Sequence, residues 1–277
     1  MMNRLFFALA VSFLMAFPSM AGAAGSTLQW GLGYQHFDYK EDLPAPFKST
    51  EKGWLPSIYA SYEFKKKSFL YGKVHTDFAS ANVTYDGTTQ GGTPVTFDDH
   101  NRQNLFKYEM QIGYAFALRD NLLLIPYAGY GLRFWERGQS KITSAYRSYV
   151  EDYFWNYIPV GVKVDYTVNE KWSVGGSLAA HFMFGGKMKA YVSEVQPVVN
   201  DQKFDLGNEI GYYIDVPVTF RITPRWSVVA TPWYEYSAIG KSNTVNVTYN
   251  NTLTGYAYEP ASRTHQYGIR LGAAFTF

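Results

Sequence analysis

Residues 265–277 read HQYGIRLGAAFTF. Tyr267, Ile269, Leu271, Ala273, Phe275 and Phe277 are apolar, and Gln266, Gly268, Arg270, Gly272, Ala274 and Thr276 between them are polar or small. Side chains alternate faces along an extended strand, so one face suits hydrocarbon and the other a crowded polar interior. That pairing of faces is the signature of a barrel with lipid outside and a lumen inside. A soluble β-sandwich alternates too, but it buries its apolar face and needs no repeated wide apolar band.

The same pattern recurs upstream. In Lys107–Leu118 the outward set is Tyr108, Met110, Ile112, Tyr114, Phe116 and Leu118, and in Asn208–Ile222 it runs from Ile210 to Ile222 in steps of two. The pattern predicts ten strands: 26–39, 53–64, 68–80, 103–118, 121–136, 152–167, 171–186, 207–222, 225–239 and 263–277. Four connections are short (Lys65-Lys66-Lys67, Arg119-Asp120, Val168-Asn169-Glu170 and Thr223-Pro224). Five are long, near 40–52, 81–102, 137–151, 187–206 and 240–262. Short and long alternate, as periplasmic turns and extracellular loops do in an up-and-down barrel. Trp30, Trp54, Trp172, Trp226 and Phe277 fall at strand ends, where their rings suit the headgroup layers. Prolines inside the fifth, sixth and eighth strands each remove a ladder donor, which predicts local bulges.

Composition agrees. Aromatics make up 18% of the 277 residues and charged residues 17%, and the formal net charge is only +2. That balance argues against nucleic acid as a partner. The absence of cysteine excludes disulfide scaffolds, thiolate metal sites and cysteine nucleophiles. Residues 1–24 read as a cleaved signal peptide: Arg4 supplies the positive start, Leu5–Phe17 the apolar run, and Ala21-Gly22-Ala23 the small-x-small site. Residues 25–277 form the barrel.

Alternation turns many charges inward: Lys73, His75, Asp77, Lys107, Glu109, Arg133, Lys163, Asp165, Asp215, Arg221, Glu235 and Arg270. Ten strands enclose a narrow lumen, and balanced charges in a low dielectric are expected to pair. Counting from the turns places Glu109 and Arg133 at similar heights on neighbouring strands, and Glu235 and Arg270 likewise. This reads as an ion-pair network that fills the barrel. The alternative is a small passive pore, favoured by inward Gly31, Gly33, Gly113, Gly129, Gly131 and Gly161. His75 and Asp77 share a face and could pair as an oriented general base, although their place is mid-barrel. No G-x-S-x-G elbow, Walker, Rossmann, HExxH or EF-hand pattern occurs, and no cofactor or metal is expected.

The export signal, alternating strands, turn asymmetry and Phe277 together resemble Gram-negative outer-membrane β-barrel proteins over the whole mature chain. The resemblance implies an outer-membrane location, contact with outer-membrane lipid, a monomer, and recognition of Phe277 by the barrel-assembly machinery. The size is similar to that of the omptin proteases, which use paired aspartates and an Asp–His couple at the extracellular rim. Asp98-Asp99-His100 lies at the right level, but the fourth long loop offers Glu194 and Asp201 without a histidine or an aspartate cluster, so that pattern is not matched. An omptin-like or lipid-modifying enzyme is therefore the second alternative. The long loops are rich in Tyr and Asn, as in opacity-type adhesins, and an extracellular ligand is possible for such loops. The reading is a structural or surface-recognition barrel.

Overall fold

The structure, a computed structural model, describes residues 25–66, 68–89, 91–138 and 149–277, with the backbone alone at 97–100. The expected signal peptide, residues 1–24, and the Asp98-Asp99-His100 side chains lie outside the described residues.

Strands β1 (Ser26–Glu41), β2 (Ser49–Lys65), β3 (Phe69–Thr88), β4 (Pro94–Arg119), β5 (Leu122–Arg137), β6 (Glu151–Thr167) and β7 (Trp172–Ala190) follow one another as antiparallel neighbours. The next position is built in three pieces, β8 (Gln202–Asp205), β9 (Ile210–Asp215) and β10 (Val218–Arg221), all paired to β7. β11 (Trp226–Ile239) pairs β9 and β10, and a small separate hairpin follows, β12 (Val245–Tyr249) with β13 (Thr252–Ala257). β14 (Ser262–Thr276) pairs both β11 and β1, which closes the sheet. Twelve segments form that sheet, and three share one position, so the barrel has ten strands.

The outward face is the apolar one. Leu32, Ile58, Ile112, Leu178 and Leu271 are each more than half exposed, which in a water-soluble domain would be costly. Aromatic residues flank this band. At the short-turn end Trp30 meets Trp226 edge-on at 5.9 Å, Trp226 meets Phe275 at 5.0 Å, and Trp172 lies 4.8 Å from Phe220. At the other end Tyr34 stacks on Trp54 at 4.9 Å. Phe277 follows β14, half-exposed against Phe275, with its N–H donating to the Ser26 carbonyl at 3.1 Å.

None of the three strand prolines carries the expected bulge. Pro126 and Pro159 sit in register opposite Val162 and His181. A proline loses one donor toward one neighbour only, so the flanking bonds hold the register. At Pro217 the ladder is interrupted between β9 and β10, but pairing with β7 and β11 resumes in the same register. The register shift in β6 falls elsewhere, between Phe154 and Asn156.

The second long connection is a continuation of the wall rather than a loop. β3 and β4 pair from Phe69↔Ala115 up to Thr88↔Pro94, leaving only residues 89–93 to connect them. A protease site inserted at Gly91 is therefore expected to be cut on intact cells. One inserted at Lys66, in the short turn between β2 and β3, is expected to be protected. The reverse pattern would refute the orientation.

Candidate functional site

The lumen is filled in layers. Near the short-turn end Tyr71, Ala115, Ile125, Tyr127 and Ala179 pack together. Here Lys163 pairs with Glu63 and lies 3.6 Å from Asp165, Lys65 binds Asp165, and the Lys163 ammonium sits 5.5 Å from the centre of the Tyr71 ring. At the long-loop end Phe37, Tyr39, Leu55, Trp135, Tyr153, Trp155, Met183 and Phe204 form a second apolar cluster inside the barrel. Trp135 stacks on Tyr153 at 4.6 Å and donates its indole N–H to Gln103 Oε1 at 2.6 Å.

Charges lie between these layers. Lys107 on β4 faces Arg133 on β5 directly in register. Two like charges opposite one another are destabilising unless bridged. Glu235, from β11, bridges them: it pairs with Arg133 and lies 3.1 Å from Lys107 Nζ, with a side chain only 2% exposed. His181 Nδ1 is 3.2 Å from the same carboxylate, and its ring stacks on Tyr157 at 4.5 Å. Arg133 Nη1 donates to Gln266 Oε1 at 3.2 Å. Glu109 accepts from the Tyr157 hydroxyl at 2.7 Å and from Gln111 Nε2 at 2.5 Å, and stands 3.6 Å from Lys107.

A second centre adjoins the first. Arg270 Nε donates to Asp77 Oδ2 at 2.9 Å and Nη1 to the Tyr213 hydroxyl at 3.1 Å, while its guanidinium lies 4.3 Å from the centre of the Trp233 ring. The Tyr213 hydroxyl donates to Asp215 at 2.9 Å, and Asp215 also takes the Ser177 hydroxyl. Lys107 Nζ sits 4.7 Å from the centre of the Tyr213 ring, which joins the two centres.

Two expected heights are corrected by this geometry. Glu235 lies opposite Gln266, four residues from Arg270 along β14. Glu109 lies opposite Gly131, while Arg133 faces Lys107. Counting from turns ignores the stagger with which tilted strands pair in a barrel. His75 and Asp77 form no couple, because Asp77 is taken by Arg270; His75 is half-buried, opposite Glu109 in register and 6.2 Å from the Tyr59 ring. Lys73 is half-buried between Glu63 and Gln111 in register. Arg221 is exposed at the short-turn end, donating to the Glu170 carbonyl at 3.1 Å.

The inward glycines do not widen a channel. A Cβ on Gly131 would fall 2.1 Å from the Tyr157 ring, one on Gly272 2.3 Å from the Tyr59 hydroxyl, and one on Gly161 2.8 Å from the Tyr127 ring. Each of these glycines makes room for a tyrosine from another strand, adjacent for Gly131 and Gly161 and one strand further round for Gly272. One void, lined by Gln35, Asp77, Trp155 and Trp233, measures about 40 Å³, room for only a few waters. Among the described residues no cluster of His, Cys, Asp and Glu has metal-site geometry.

His181, Tyr157 and Tyr213 are members that the sequence reading did not single out. His181 has the inward parity of Ala179 and Met183, so the alternation already carried the signal.

No curated protein matches the sequence. Among solved structures, the chain is similar to the outer membrane protease OmpT from Escherichia coli. That likeness covers 91% of this chain and 96% of that one, at 11% identity and a TM-score of 0.64, and shows the fold alone. Looser likenesses are to the outer membrane protein OprG from Pseudomonas aeruginosa (8% identity, 93% and 98% covered, TM-score 0.43) and to Ail of Yersinia pestis (13%, 91% and 100%, TM-score 0.32). A family model described as the outer membrane protein beta-barrel domain matches residues 7–177. With the closed ten-strand barrel and its apolar outer band, that match assigns the chain to the outer-membrane β-barrel family and places it in the bacterial outer membrane.

Proposed function

We propose that this protein is a non-enzymatic, monomeric surface barrel that recognises a partner outside the cell through the β12–β13 hairpin. The observation that carries the reading is how that hairpin is held and what it displays. Asn200 anchors it: its side chain donates to the Asn246 carbonyl at 3.2 Å and accepts from the Thr248 N–H at 2.7 Å. Val199 bridges Tyr249, and the Asn250 N–H donates to the Val198 carbonyl at 2.8 Å. The tip, Asn250-Asn251, adopts positive φ at both residues (48° and 62°), as a tight hairpin turn requires. Residues 242–258 contain no charge, and Tyr249, Leu253, Tyr256 and Tyr258 are all about half exposed or more. A pre-ordered aromatic surface loses little entropy on binding, which is what a recognition surface needs.

The layered filling supports the same reading, because it leaves the lumen to structure. Lys73, His75, Asp77, Lys107, Glu109, Arg133, Lys163, Asp215, Glu235 and Arg270 then act as a plug, and Phe277 as the assembly signal.

Two measurements test this. The purified barrel is expected to give no steady conductance steps in planar bilayers, and large steady steps would favour the pore. Cells displaying the protein are expected to adhere to an array of host-surface glycans and matrix proteins. Tyr249→Ser with Tyr256→Ser is expected to weaken that adhesion tenfold or more, on the scale of about 2 kcal/mol for lost aromatic hot spots. Equal adhesion of both variants at equal surface abundance would overturn the hairpin as the site.

A further inference from the structure

The barrel mouth holds more carboxylates than its donors can serve. Glu41 of β1, Glu51 of β2, Glu151 of β6 and Glu259, in the segment returning from β13 to β14, gather near one cation, Arg137 of β5. Arg137 Nη1 donates to Glu41 at 3.1 Å and to Glu151 at 2.8 Å, Nε to Glu51 at 2.5 Å, and Nη2 to Ser49 Oγ at 3.2 Å. Glu259 binds instead to the Tyr153 hydroxyl, at 2.8 Å, and that hydroxyl is also 3.1 Å from Glu151 Oε2. Glu51 is 1% exposed, Glu259 7% and Tyr153 0%. This level lies above the apolar band, beside the outward Lys52–Asp38 ion pair on the same two strands that carry Glu51, Tyr39 and Glu41.

A phenol has one proton and donates one hydrogen bond. It cannot satisfy two carboxylates, so the second contact needs a proton on a carboxylic acid. Charge counting agrees, since four carboxylates, three of them buried, face one guanidinium, and unneutralised buried charge is costly. The other titratable groups facing the cluster are phenols: Tyr39 donates to Glu41 at 3.2 Å, the Tyr85 ring lies 6.0 Å from Arg137, and Tyr149 precedes β6. Burial first, then the charges of Glu41 and Glu151, raises the Glu259 carboxyl well above the ordinary carboxylate range.

Glu259 also ties the neck of the hairpin. Its N–H donates to Ser242 Oγ at 2.8 Å, and the Ser242 N–H donates to the Glu259 carbonyl at 3.0 Å. The other tethers described for the hairpin and its neck, to Val198, Val199, Asn200 and the main chain of Asp205, join neutral groups. We propose that Glu259, docked as the neutral acid on the Tyr153 hydroxyl that it shares with Glu151, is a proton-operated latch that fastens the neck of the extracellular hairpin to the barrel mouth. When the acid loses its proton to water, Glu151 and Glu41 repel the carboxylate and the neck lifts away. The latch does not depend on what the hairpin recognises.

The sign follows from linkage. The docked state binds a proton that the solvated, released state gives up at ordinary carboxylate pKa. Docking is therefore strongest at low pH. It weakens up to tenfold per pH unit between the released and docked pKa values.

The test is hydrogen exchange of the full barrel in detergent from pH 5 to 9, read on peptides covering 240–262 and corrected for intrinsic exchange rates. Protection of the wild-type neck is expected to fall at least tenfold across that range. Glu259→Gln, which keeps a neutral hydrogen-bonding side chain, is expected to stay protected within twofold throughout. Glu259→Ala is expected to be unprotected at every pH, and strand circular dichroism checks that each barrel is folded. A wild-type neck whose protection does not change with pH would overturn the latch. So would a Glu259→Gln neck that opens at the same pH as wild type.

Discussion

Glu235→Ala is expected to lower the unfolding free energy by about 3–5 kcal/mol, the usual cost of removing one partner from a buried ion pair. The reason is the register. Lys107 and Arg133 face each other across the β4–β5 ladder, and Glu235 is the carboxylate that touches both. Without it, two desolvated cations remain side by side. The nearest carboxylate to Lys107 is then Glu109 at 3.6 Å, already engaged by Tyr157 and Gln111. Urea unfolding of the folded barrel measures the loss. A second substitution decides the cause: Lys107→Met added to Glu235→Ala removes one stranded charge and is expected to recover part of the stability. A single-mutant loss below about 1 kcal/mol would mean that water reaches and screens the centre, as it does for exposed pairs.

The parts of this molecule legible in its sequence are those where one face meets lipid. The ten barrel positions follow from apolar alternation, because hydrocarbon tolerates no polar face toward it. The same alternation puts Lys107, Glu109, Arg133, Glu235 and Arg270 on the inner face, and all five are buried. The signal fails where lipid stops. Above the apolar band the outer face of β3 and β4 no longer meets lipid, so Ala81–Thr88 and Pro94–Arg102 read as a loop while forming a paired hairpin. The same loss hid β12 and β13, and it cut β1 and β2 short of Glu41 and Glu51, which concealed the Arg137 cluster. Pairing across the lumen was illegible for a different reason. Partners such as Lys107 and Glu235 are 128 residues apart, and which charges meet depends on strand stagger, a property of closure rather than of any one strand.

Arg270 gives the sharpest test of that distinction. Two arginine-to-glutamate pairings look alike in the sequence, yet Glu235 sits opposite Gln266, four residues along β14 from Arg270, roughly 13 Å at the usual rise per residue. Arg270 is instead bound by Asp77 across the lumen, with Tyr213 and Trp233 completing its surroundings. Arg270→Ala and Asp77→Ala are each expected to cost about 3–5 kcal/mol, since each leaves a buried charge alone. Together they are expected to cost about 1–3 kcal/mol less than their sum, as residues in direct contact do. Arg270→Ala with Glu235→Ala is expected to be additive within about 0.5 kcal/mol, because the two share no direct bond. One route between them runs through Tyr213, whose hydroxyl meets Arg270 and whose ring lies beneath Lys107, and another through Asp77, which faces Lys107 in register. Tyr213→Phe keeps that ring and removes the hydroxyl. It is expected to leave the Glu235–Arg270 cycle additive while weakening Arg270 alone. Strong coupling between Glu235 and Arg270, with little between Asp77 and Arg270, would show that β14 pairs in a different stagger and that the lumen network is wired otherwise.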